Sequence, residues 1–208
     1  MGFSTILDIK RSTLIGGMLL LILFRVNDAA VENNYMYGGE LVVQQNLVAV
    51  VELLEFDFRK IGFCADWEKL SNPLLYIISA DSNSIKFRTD LDSDGNVDSL
   101  WYYTGPPSEL METPNPRDRY LYRVENNEKP VGTNLGVTQF HMVFYDALGK
   151  KLSYPITSPD LIQMIEINIR VEDVYGYDTA NENKEDRDMY ASAFWKQIRL
   201  AARNLRNR

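Results

Sequence analysis

The sequence predicts an α+β protein: one long N-terminal α-helix, membrane-anchored in its first part, packed on an antiparallel β-sheet head. Three observations carry this. An apolar run, Thr13 to Phe24, follows the basic pair Lys10–Arg11. A proline-free stretch from Ala29 to Phe58 then repeats apolar residues near helical spacing. From Leu75 onward, short β-prone runs alternate with turns rich in Asp, Asn, Gly and Pro. The chain divides accordingly into residues 1–28 as leader or anchor, 29–63 as an amphipathic helical stem, and 64–208 as the β-rich head.

The apolar run is short. As a helix it measures roughly 18 Å, against roughly 30 Å of hydrocarbon in a bilayer. Its membrane-facing candidates are Leu14, Ile15, Leu19, Leu20, Leu21, Ile22, Leu23 and Phe24. Two readings are open. In the first, the run is the apolar core of a cleaved signal peptide, with Lys10 and Arg11 as its basic region. The sequence that follows, RVNDAAVENN, lacks an Ala-x-Ala pattern and puts Asp28 where a small residue is wanted. In the second, the helix continues past Arg25 into the stem.

Along the stem the apolar positions are Tyr35, Leu41, Val42, Leu47, Val50, Leu53, Leu54 and Phe58. That spacing defines a stripe expected to lie against a sheet, with Glu52, Glu55, Asp57, Arg59 and Lys60 on the other side. Gly38–Gly39 costs roughly 1 kcal/mol per glycine relative to alanine, which predicts a kink or loosened turn. Gly62, after basic Arg59 and Lys60, is placed to end the helix.

A polar link (Asp66 to Pro73) leads into the strands. Runs at 75–79 and 85–88 flank an Asp81–Ser84 turn, and 99–103 and 119–123 enclose a proline-rich irregular stretch. Residues 137–145 alternate, with Val137, Gln139, His141 and Val143 on one side and Phe140, Met142 and Phe144 on the other. Residues 162–171 alternate again, Ile165, Ile167, Ile169 and Val171 opposing Glu166, Asn168 and Arg170. Hairpins of this kind build an antiparallel sheet with one buried face. The segment 191–208 favours helix by propensity and strand by alternation, and it is assigned as a terminal strand. Residues 175–188 form a charged, turn-rich loop.

Composition narrows the function. The 208 residues suffice for one sizeable core plus a stem. A net charge of −7 opposes nonspecific binding to nucleic acid. The single cysteine, Cys64, excludes an internal disulfide and is expected to be a buried or semi-buried structural residue. The single histidine, His141, falls mid-strand as a structural residue, and no Gly-x-Ser-x-Gly elbow, phosphate loop or Cys–His zinc spacing occurs. The residues support no enzymatic assignment.

One loop carries metal chemistry. Asp90, Asp92, Asp94, Asn96 and Asp98, with Gly95 between, follow the first nine positions of a calcium loop, in which oxygen ligands alternate and glycine makes the sharp turn. The twelfth position, where a bidentate carboxylate is expected, is Trp101. A metal-free β-hairpin turn uses the same residue types, so calcium and plain turn both stand. The basic residues Lys196, Arg199 and Arg203 are either a solvated strand face or a contact for an acidic partner or lipid headgroups. Trp101, Tyr102, Tyr103, Tyr120 and Tyr122 are expected as core and cross-strand pairs.

The order of these features resembles the type IV pilin-like proteins, in particular minor pseudopilins of the J class and PilW-like minor pilins. The resemblance rests on LLEFDFRKIGF (53–63), SIKFRTDLDSDGNVDSLWYY (84–103), RYLYR (119–123), GVTQFHMVFYDALGK (136–150), MIEINIRVED (164–173) and the end near Arg203–Asn204. It implies a pilin-like fold and a non-enzymatic subunit at the tip of a type II secretion or type IV pilus filament. It also implies single-pass residence in the inner membrane, a periplasm-facing head, and sibling minor pseudopilins or pilins as partners through helix bundling. The start departs from the family pattern: Arg11 stands where the processing glycine belongs, and Gly16 where the glutamate belongs. Uncleaved retention, with Lys10 and Arg11 on the cytoplasmic side, is therefore open. The competing assignment is a secreted calcium-binding β domain with a cleaved signal peptide.

Overall fold

The computed structural model describes residues 2–175, 190 and 192–200. Among the described residues, one α-helix, α1 (Gly2–Arg59), is followed by eight antiparallel strands, with three short 3-10 turns between these elements. The α+β expectation is met. The chain divides into two compact units, Met1–Gly39 and Glu40–Arg208.

In the first unit α1 is apolar and uncovered. Every large apolar side chain from Leu14 to Phe24 is at least 54% exposed. By length and composition α1 can cross a membrane, a property shared by anchors and signal sequences. α1 runs through Gly38 and Gly39 without a break.

In the second unit, strands β1 (Ile77–Asp81), β2 (Ser84–Thr89), β3 (Asp98–Thr104), β4 (Leu121–Glu125) and β5 (Val131–Thr133) form one sheet in sequential order. Strands β6 (Val137–Tyr145), β7 (Met164–Glu172) and β8 (Ser192–Leu200) form another. Sequence reading found all but β5, a short run without an apolar pattern. Residues 192–200 are a strand, so alternation prevails over helix propensity there.

The last turns of α1 lie in the core shared by both sheets. Val43, Val50, Leu54 and Phe58, then Ile61, are buried with Ile85, Phe87, Leu100 and Tyr102 of the first sheet and Phe140, Met142, Ile165 and Ile167 of the second. Phe58 meets the rings of Phe87 and Tyr102 edge-on, each at 5.5 Å. Burial of each such side chain stabilises by roughly 1.5–3 kcal/mol. The inward stripe differs from the expected one. Leu41, Val42 and Leu53 are exposed, whereas Val43 and Asp57 point inward. Asp57 lies one turn after Leu54 and two after Val50, so helical geometry carries it inward with them.

A second correction concerns β6. Pairing slips between Val137 and Gln139, and the bulge puts Val137 on the buried side with Phe140, Met142 and Phe144. On β7 the expected alternation holds for the four apolar residues, and Glu166 and Glu172 on its other face are buried too. α1 ends before Gly62, whose φ of 72° suits glycine. A Cβ there would also run into the Tyr76 ring.

Candidate metal centre

The loop between β2 and β3 is rooted in the chain that leaves α1. Gly62 N–H donates to Arg88 O at 2.9 Å, and Asp90 N–H donates to Phe63 O at 2.7 Å. These two bonds zip residues 62–65 along the end of β2. Asp90 is thereby carried into the interior, with no exposed surface.

Its carboxylate works as a hub. Oδ2 accepts from Ala65 N–H and from Gly95 N–H, both at 3.0 Å. The Ala65 amide holds this carboxyl below the usual carboxylate range; burial opposes, and the Gly95, Ser93 and Asp94 amides reinforce it. Asp90 is therefore ionised at neutral pH. Its Oδ1 is buried and accepts no hydrogen bond among the described residues. A buried ionised carboxylate with an orphaned oxygen is a costly arrangement for a structural turn.

The rest of the loop curls around that oxygen pair. Ser93 and Gly95 adopt φ of 64° and 82°, which wind the chain tightly. Asp92 Oδ1 accepts from Asp94 N–H at 3.1 Å. Asp98 Oδ2 accepts from Leu91 N–H at 3.0 Å, and its Oδ1 from Asn126 Nδ2 at 2.7 Å. Carboxylate oxygens of Asp90, Asp92 and Asp98 lie within 4.8 Å of one another. Oxygens sharing one Ca²⁺ at about 2.3–2.6 Å are separated by at most about 5 Å.

The structure thus brings together three of the five residues singled out from sequence. Asp94 accepts from Asn96 N–H and Nδ2, each at 2.7 Å, and those donors hold its carboxyl below the usual range. Asn96 Oδ1 in turn accepts from Lys69 Nζ at 2.9 Å. Trp101, at the twelfth position, lies in β3 and donates its indole N–H to Ser84 Oγ at 2.8 Å. Besides Lys69, Lys60 touches the loop, donating to Leu91 O at 2.7 Å.

A second polar cluster lies on the core side of the first sheet and was missed in the sequence. Asp57, fully buried on α1, accepts from the Tyr102 hydroxyl and from Arg123 Nε at 2.7 Å. Arg123 also pairs with Glu125. Burial pushes the Tyr102 hydroxyl up, and Asp57 adds to it. The available signal was the position of Asp57, one turn beyond buried Leu54. The partner, on β4, is unreadable from local sequence.

Other sequence-derived candidates are placed as follows. Tyr102 belongs to the core, whereas Trp101, Tyr103, Tyr122 and Tyr120 stack along the other face of the sheet at centroid separations of 4.3, 4.9 and 5.8 Å. Cys64 is half-buried, and burial pushes its thiol up. His141 is half-buried in β6, its ring 6.5 Å from that of Tyr154. The side chains of Lys196 and Arg199, all of Arg203, and nearly all of the 175–188 loop lie outside the described residues. No family model, curated protein or solved structure matches the chain.

Proposed function

We propose that this chain is a membrane-tethered, non-enzymatic subunit of a pilin-like filament, a minor pilin or pseudopilin acting at the tip of a type II secretion or type IV pilus assembly. One observation carries the reading. A single helix begins as uncovered apolar surface and ends as a core helix against antiparallel strands. Apolar side chains without a partner in their own chain need lipid or other helices around them. In a filament, sibling helices fill that need; before assembly, the inner membrane does.

The stem adds support. Leu41, Val42, Val48, Leu53 and Phe56 remain exposed on the part of α1 that packs on the strands. Neighbouring helices in a bundle would cover such residues. Lys10 and Arg11 would hold the N-terminus on the cytoplasmic side, leaving the strands in the periplasm.

The test is the mature N-terminus of protein recovered from its native host, together with its partition between membrane and soluble fractions. A start near Ser12, or an intact start in the membrane fraction, is expected. Soluble protein starting near Val31 would replace this reading with a secreted β domain whose leader is removed.

A further inference from the structure

Three features outside the filament reading invite a function. A groove of about 290 Å³ beside Arg123, Lys129 and Glu128 has charged groups of both signs, and nothing fixes one ligand chemistry. The aromatic row from Trp101 to Tyr120 resembles a stacking platform. However, Tyr103 and Tyr122 are nearly parallel, at 20°, and cover each other's faces, so little ring face is free for a sugar or base. The acidic loop is different, because it combines a ligand set with an unmet need.

The geometry points to a single divalent-cation site, of calcium type, formed by Asp90, Asp92 and Asp98 and excluding Asp94. Two independent observations converge. The three carboxylates approach within 4.8 Å, a span that one Ca²⁺ bridges. Separately, Asp90 is wholly buried, is anchored through Oδ2, and keeps a buried Oδ1 that accepts no hydrogen bond. A cation shared with Asp92 and Asp98 supplies the countercharge that the loop amides supply only in part.

The chemistry selects the ion class. All three donors are hard carboxylate oxygens, which suit Ca²⁺ or Mg²⁺ rather than Zn²⁺. Carboxylates from an irregular loop, completed by carbonyls and water, fit the flexible coordination of Ca²⁺ better than the strict octahedron of Mg²⁺. Without a carboxylate at Trp101, affinity is expected in the weak range of about 10⁻⁴–10⁻³ M. Since Asp90 also holds the Ala65 amide, the ion would fasten the β2–β3 loop to the exit of α1. None of this rests on the filament reading; ion binding is expected whatever becomes of the N-terminus.

The experiment uses the full chain in detergent, with melting temperature read in millimolar Ca²⁺ and in chelator, and with the luminescence of bound Tb³⁺. Calcium should raise the melting temperature by several degrees, and Tb³⁺ should bind with unit stoichiometry and be displaced by Ca²⁺. Asp92→Asn changes an exposed side chain and keeps the Oδ1 that accepts from Asp94 N–H, and should weaken binding by about tenfold or more. Asp94→Asn should leave binding within about twofold of the parent. The proposal is overturned if the parent protein melts identically with calcium and chelator. It is equally overturned if Asp92→Asn keeps the full calcium shift, or if Asp94→Asn abolishes it.

Discussion

Two buried aspartates in one unit are neutralised in different ways, and the contrast separates architecture from site. Asp57 faces the guanidinium of Arg123 and the hydroxyl of Tyr102, so its charge is met by protein. Asp90 is met by two amides on one oxygen, while its other oxygen accepts no hydrogen bond among the described residues and two more carboxylates close in. The first arrangement braces the end of α1 against the sheet. The second leaves room for an ion. Asp118 shows a third solution. Both of its oxygens are buried and accept no close hydrogen bond among the described residues, and the nearby Thr113 hydroxyl, which donates to Leu110 O at 2.8 Å, offsets the burial only in part. Burial, with help from Glu172 and Asp173, pushes this carboxyl up to about 6, so a proton does the neutralising in mild acid.

The sharpest way to break this comparison is to remove the cation from the first site. Arg123→Ala leaves Asp57 charged and buried without its partner, which costs about 3–5 kcal/mol in comparable pairs. Adding Asp57→Asn should recover much of that loss, because the stranded charge disappears with its partner. Denaturant midpoints of the single and double variants measure both effects. A loss below about 1 kcal/mol in Arg123→Ala would mean that the ion pair is dispensable.

Packing provides the next contrast. Leu54 is fully buried and Leu41 is 56% exposed, on the same stretch of helix. Leu54→Ala should cost about 2–5 kcal/mol. Leu41→Ala should change stability by less than about 0.5 kcal/mol in the isolated subunit. Comparable losses at the two positions would show that the stem packs on another face.

The last contrast concerns Asp118. Its folded pKa lies above the unfolded value near 3.9, so the folded state holds the proton more tightly. Its contribution is complete below about pH 4 and declines as pH rises through about 6, by about 1–3 kcal/mol. That slope is opposite in sign to that of an aspartate held charged by a cation or by amide donors. Asp118→Asn should flatten the pH dependence of the melting temperature in that window; an unchanged slope would assign it to other groups.

How much of this was legible depended on whether the signal was local. The β2–β3 loop announced itself, because alternating acids around Asp94–Gly95 are a short-range pattern. The same pattern overstated the ligand set. Asp94 and Asn96 satisfy each other, and only the fold brings Asp98 back toward Asp90 across the turn. Asp57 was assigned to the wrong face because its neighbours Glu55 and Arg59 are solvent-facing, and charge suggested exposure. Val137 was misplaced because a bulge leaves no trace in an alternating string.

By itself, the sequence determined the element types, the uncovered apolar start, the helix stop at Gly62 and the position of the acidic turn. Each follows from periodicity, turn chemistry or backbone freedom over a few residues. Only tertiary structure decided which stripe of the stem faces inward, which acids converge, and how each buried charge is neutralised. Those outcomes depend on partners far away in the chain, as with Asp57 and Arg123, 66 residues apart. No local pattern records the cost of burying a charge; it is settled by what the folded chain brings beside it.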